Sequence, residues 1–156
     1  MSSRTTEDFR EAVRRHPFLE GLDPAFLDEM VRLGVERRFR VDEHLAREGA
    51  PANVLYILLE GKVALEVGAA DHPALTVQTV GAGEVLGWSW LVAPHRWRFD
   101  ARAVKPVHAV EIEGGALRRL LSEHPDWGYQ FLLRFLPVLA ERLENTRIQL
   151  LDIHAR

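Results

Sequence analysis

Between residues 35 and 113 the chain is a succession of short runs rich in Val, Leu and Ile: "VERRFR", "NVLYILLEG", "KVALEV", "ALTVQTV", "ARAV" and "VHAVEIE". Glycine and proline punctuate them at Glu48-Gly49-Ala50-Pro51, Glu60-Gly61-Lys62, Asp71-His72-Pro73 and Gly81-Ala82-Gly83. Strands this close together, with no helix between them, cannot make the crossovers of a parallel sheet. An antiparallel roll or barrel is what remains.

Helical grammar flanks this block. Residues 5–15 read as a short helix capped by Thr5 or Thr6, with acids in its first turn. Asp23-Pro24 supplies a cap followed by proline at the first helical position, opening a second helix that Gly34 stops. After Glu113 a short helix covers Gly114–Glu123, His124-Pro125 breaks it, and Asp126 caps a long helix over residues 126–153. Along that helix Tyr129, Leu132, Leu136, Leu139, Leu143, Thr146 and Leu150 recur at alternating steps of three and four. Such a stripe either packs on the chain's own roll or pairs with a second copy. A terminal helix this long projects beyond a small roll, which favours a homodimer seam through Leu132, Leu136, Leu139, Leu143 and Leu150. Pro137 removes one backbone donor and crowds the carbonyl four residues back, so a kink near Leu133 is expected.

At 156 residues, 47% hydrophobic and 28% charged, the chain has the size and composition of one domain: residues 1–34 as N-terminal helices, 35–113 as the roll, 114–153 as C-terminal helices. A net charge of −3 lacks the basic footprint that phosphate-backbone binding needs. No cysteine is present, which removes disulfides, thiolate metal sites and cysteine nucleophiles. The longest apolar run is far shorter than a bilayer span, and the charged start "MSSRTTEDFREAVRR" is no signal peptide, so a cytoplasmic protein without membrane contact is expected. Catalysis has no visible footing. Ser89, in "GWSWL", lacks the closing glycine of a nucleophile elbow. The seven histidines, His16, His44, His72, His95, His108, His124 and His154, show no zinc-helix spacing, so neither an enzyme nor a metal is expected.

Two small helices, a roll with a glycine-glutamate loop, then a short helix and a long one: this order resembles the cyclic-nucleotide-binding domain of the Crp/Fnr regulators and cyclic-nucleotide-dependent kinases. The resemblance rests on "HPFLEGLDPAFLDEM", "EGAPANVLYILLEGKVAL" and "VGAGEVLG", with Gly49 and Gly61 twelve residues apart around a Leu-Tyr-Ile-Leu-Leu strand. It covers residues 18–150. It implies a jelly-roll or double-stranded β-helix, mainly β with flanking α-helices. It also implies a cassette over residues 83–101 that takes a cyclic nucleotide, the one cofactor the chain suggests. In that family free backbone N–H groups receive the phosphate, the glutamate accepts the ribose hydroxyl and an arginine pairs with the phosphate. Gly83 and Glu84 then take the first roles, with Val85 and Leu86 beside them; for Glu84 the other reading is a carboxylate capping the turn's own amides.

The far end departs from that pattern. Aligned on Ala101, the arginine has become Phe99, and Asp100 adds a negative charge close to where a phosphate would lie. Arg96 or Arg98 then either swings into the vacant role, pairs with Asp100 or nearby acids, or faces water. Trp88, Trp90, Trp97 and Phe99 either fill the pocket, form a partner surface or stack on a purine. Two functions stay open: a sensor that binds a small ligand, cyclic nucleotide or otherwise, and a roll that no longer takes nucleotide and docks another protein. With the sequence ending at Arg156, before any helix-turn-helix, direct DNA binding is not expected.

Overall fold

The computed structural model describes residues 2–69 and 72–155. Helix α1 spans Ser2–Arg14 and α2 spans Pro24–Leu33. The first starts earlier than expected, so Thr5 and Thr6 lie inside it rather than at its cap, and its first turn carries no acid. The second follows its sequence signals: an Asp23 Oδ1 accepts the Ala25 N–H at 2.9 Å, Pro24 opens the helix, and the Gly34 N–H closes it on the Met30 carbonyl. Gly34 is needed for space. Its backbone is extended, and a Cβ there would stand 2.7 Å from Val110 Cγ1.

Six strands follow among the described residues: β1 (Val35–Phe39), β2 (His44–Ala46), β3 (Val54–Ala69), β4 (His72–Gly81), β5 (Val85–Leu86) and β6 (Asp100–Glu113). All pairings are antiparallel, in the order β1-β6-β3-β4, with β2 also on β6 and β5 also on β3. The roll is therefore as expected, but its strands are fewer and longer. "NVLYILLEG" and "KVALEV" fuse into β3, and "ARAV" and "VHAVEIE" fuse into β6. The reason lies where the two cross. Gly61 adopts φ +100°, and a Cβ on it would sit 2.3 Å from the Pro106 carbonyl oxygen. The register slips on both sides of Gly61, from Leu58↔Ala109 to Glu60↔His108 to Lys62↔Lys105. Pro106, which has no N–H to donate, falls in that slip, so the strand bends instead of ending.

Alternation along β3 divides the interior in two. Leu55 and Ile57 face a core shared with the helices, where Phe18, Phe26, Met30, Trp90, Leu117, Phe131 and Phe135 are buried. Tyr56 and Leu58 face the inside of the roll, with Phe39, Leu65, Val80, Leu86, Trp97, Phe99 and Ala101.

Helix α3 covers Gly114–Glu123, and α4 covers Pro125–Ala155 as one helix running through Pro137. Pro125 starts α4, so Asp126 lies in its first turn rather than capping it. The apolar stripe splits. Trp127, Phe131 and Phe135 are buried, Val138 and Leu139 pack half-buried on the same core, and Tyr129, Leu132, Leu136, Leu143 and Leu150 are exposed. Thr146's side chain lies outside the described residues. No helix among the described residues is long and apolar enough to cross a membrane.

Candidate functional site

The loop after β4 hangs on β3 by its backbone. Gly83, at φ +85°, donates to the Leu58 carbonyl at 3.1 Å, and the Leu58 N–H donates to the Glu84 carbonyl at 3.0 Å. The exposed Glu84 side chain turns back on its own loop, where Oε1 accepts the Gly81 N–H at 2.9 Å. His16 pins the same point from behind: Nε2 donates to the Leu58 carbonyl at 2.8 Å while Nδ1 accepts the Phe18 N–H at 3.1 Å. Those two bonds require the neutral ring with its proton on Nε2. Burial pushes the His16 pKa down, against the raising effect of the Leu58 and Glu84 backbone.

Beyond Glu84 the chain turns inward. Val85 joins the helix-facing core and Leu86 the roll interior. Gly87, at φ +105°, leaves room for an indole, since a Cβ there would meet Trp97 Cη2 at 2.9 Å. Trp90 is fully buried; its Nε1–H donates to the Gly87 carbonyl at 3.0 Å, and its ring meets Phe131 edge-on at 5.8 Å.

Residues 95–97 then run against 49–52. The Gly49 and Ala52 N–H groups donate to the Trp97 and His95 carbonyls, the Trp97 N–H donates to the Ala50 carbonyl, and Pro51 bridges to Arg96. Side chains alternate from here. Trp97 points into the roll and stacks on Tyr56 with ring centroids 6.5 Å apart; Phe99 follows, 6.0 Å from Trp97. Both are buried. Burial pushes the Tyr56 hydroxyl up to about 12, so this wall stays uncharged.

The charged residues between them face out. Arg96 Nη1 donates to the Gly49 carbonyl at 2.8 Å, and the Arg98 guanidinium lies 5.6 Å from the Trp88 ring centre. Neither bonds Asp100, whose Oδ1 instead accepts the Glu48 N–H at 2.7 Å. Ala101 is buried in the roll opposite Ala46 and Leu65. The next cation, Arg102, is held by both oxygens of Glu66 at 3.0–3.1 Å and by Asp42 at 2.8 Å. The residues anticipated as one cassette therefore sit in two surroundings. Arg96, Phe99, Asp100 and Ala101 stand against β2 and the 48–52 turn, whereas Gly83, Glu84 and Val85 stand against α4.

That second surrounding contains functional candidates not anticipated from sequence. Arg134 and Arg142 on α4 line a cavity of about 270 Å³ with Glu84, Glu141 and Gln78. Arg142 Nη2 donates to the Val85 carbonyl; burial pushes its pKa down, while Glu84 and Glu141 act to raise it. The signal was their spacing, since 131, 134, 135, 138, 141 and 142 share one helix face with the buried phenylalanines. Among the described residues no cluster of three or more His, Cys, Asp or Glu could hold a metal ion.

Residues 36–124 match the family model "Cyclic nucleotide-binding domain". The chain is 27% identical over 143 residues to a CRP-like cAMP-activated global transcriptional regulator of Mycobacterium tuberculosis, across 92% of this chain and 62% of that protein. It thus spans less than two thirds of the relative's length. Among solved structures it is similar to a putative cyclic nucleotide-binding protein from Geobacter metallireducens, with a TM-score of 0.73, 29% identity and coverage of 86% and 96% of the two chains. A cyclic nucleotide-binding domain from Methylobacillus flagellatus shares the fold, with a TM-score of 0.77 at 21% identity, covering 96% of this chain and 84% of that one. An antiparallel roll between two leading helices and a closing helix pair is the architecture that these solved structures share with the chain. The chain belongs to the cyclic nucleotide-binding domain family.

Proposed function

We propose that this chain is a non-enzymatic regulatory module of its family in which the roll is closed by its own aromatic side chains. It acts by presenting α4 to a partner rather than by holding a cyclic nucleotide inside the roll. The observation that carries this reading is the burial of Trp97 and Phe99 against Tyr56, where the family resemblance expects an arginine facing a phosphate. A cyclic phosphate needs convergent donors and a cation, and this interior offers only the Tyr56 hydroxyl and the Trp97 ring N–H, with no guanidinium or ammonium among its described residues. Arg96, Arg98 and Arg102 are each engaged elsewhere. The partner we assign to α4 is a second copy of the chain, on the strength of the exposed Leu132, Leu136, Leu143 and Leu150 at coiled-coil spacing. Leu139 belongs to the module's own core.

Titration with cyclic AMP and with cyclic GMP, followed by tryptophan fluorescence, tests the closed roll. No saturable change is expected up to about 1 mM, a ceiling that corresponds to roughly −4 kcal/mol of binding. A saturable response with a micromolar midpoint overturns the reading and restores the nucleotide sensor. Loss of that response in Glu84→Ala but not in Glu141→Gln would place the ligand in the cassette rather than in the cavity against α4.

A further inference from the structure

The cavity between α4 and the Gly83-Glu84 loop lies outside the roll, and the closed interior leaves it untouched. We infer that it is a binding site for a small zwitterion of the α-amino-acid class, held between Arg134 and the carboxylates of Glu84 and Glu141. Its volume of about 270 Å³ falls just below the roughly 300–1,000 Å³ of drug-sized sites, which suits a small metabolite. Phe18, Val85 and Val138 give it an apolar wall. Two guanidiniums and two carboxylates line the rest, together with the Gln78 amide. A lone anion or a lone cation entering this space meets two charges of its own sign. A molecule carrying a carboxylate and an ammonium a few ångströms apart meets a partner at each end.

The site is built around Arg134. Its guanidinium lies over Gly21, where a Cβ would come within 2.7 Å of Nη2, so the left-handed glycine makes space for it. Its Nη1 donates to the Pro17 and Phe18 carbonyls over distances stretched to 3.5 Å, so a ligand carboxylate would outcompete them. Arg142, anchored on the Val85 carbonyl, closes the other end. Because the cassette loop and α4 both form the walls, an occupant would tie one to the other. This site stands independently of the closed-roll reading, which concerns the opposite side of the loop.

The test is calorimetry and thermal melting of the whole chain with each proteinogenic L-amino acid, alongside acetate, methylammonium and inorganic phosphate. At least one amino acid should bind with a Kd of about 1 mM or tighter and raise the melting temperature, and the probes bearing charge of only one sign should do neither. Arg134→Gln and, separately, Glu141→Gln should each weaken binding about tenfold or more while circular dichroism stays unchanged. Glu141 is exposed, so its variant keeps the test decisive even if Arg134→Gln disturbs the fold. Silence from every amino acid, a phosphate response in their place, or full binding by the folded Glu141→Gln protein overturns the proposal.

Discussion

Replacing Phe99 with alanine separates a core residue from a pocket lip. Phe99 is 8% exposed and contacts Trp97 in a cluster that also holds Phe39, Tyr56 and Leu65. Removing its ring deletes most of a large buried side chain and leaves a void in the roll interior, whose β3–β6 wall is fixed by a ladder from Val54↔Glu113 to Glu66↔Asp100 and can collapse little. Phe→Ala at such sites costs about 3–5 kcal/mol. At this chain length each kcal/mol lowers the melting temperature by roughly 2–4 °C, so a drop of about 6–20 °C is expected. Circular dichroism melts at matched protein concentration measure it, because the proposed self-association would make the midpoint concentration-dependent. Phe99→Leu, which keeps much of the volume, should lose far less. A loss below about 1 kcal/mol for Phe99→Ala is what a surface position gives. That result would mean the phenyl ring lines an open site and that the closed-roll argument is wrong.

Other consequences follow from the same geometry. Leu136→Asp with Leu143→Asp should convert a dimer to a monomer on a sizing column without lowering the helix signal, as both side chains are exposed; an unchanged elution position removes the seam. Gly61→Ala combines a left-handed backbone with a 2.3 Å approach to the Pro106 carbonyl, so a loss of about 2 kcal/mol or more is expected in denaturant titration. His16 has its folded pKa lowered below the ordinary 6.5, so the unfolded chain binds the proton more readily than the folded one. Its contribution is complete above pH 6.5 and is lost as the pH falls below it toward the folded pKa. The stability slope between pH 7.5 and 5.5 should therefore flatten in His16→Gln, and an unaltered slope would refute the neutral, double-bonded ring.

Local grammar carried most of the fold. The Asp23-Pro24 start and Gly34 stop of α2, and the His124-Pro125 end of α3, are set by caps and breakers that act over a few residues, so they could be read directly. The strand count could not. Gly61 and Pro106 each look like an end when read alone, and only their meeting across the ladder turns two breaks into one bend. The same limit applied to the cassette. Burial of Trp97 and Phe99 was among the options their size allowed. The partners of Arg96 and Asp100 are backbone groups of Gly49 and Glu48, about fifty residues away, and no spacing rule reports them. Arg134 and Arg142 give a weaker signal, because the period of the long helix is carried by its leucines while the arginines interleave in sequence with the buried phenylalanines.

Helix α4 has two unlike faces, one buried and one exposed, and that has an evolutionary consequence. Trp127, Phe131 and Phe135 supply the ring contacts that cover Phe18, Phe26 and Trp90, so the roll cannot be inherited without the helix that closes it. Its outward leucines are bound by no such obligation and can drift or be recruited while the inner aromatics stay fixed. Descendants of this chain should therefore change their associates far more readily than their architecture.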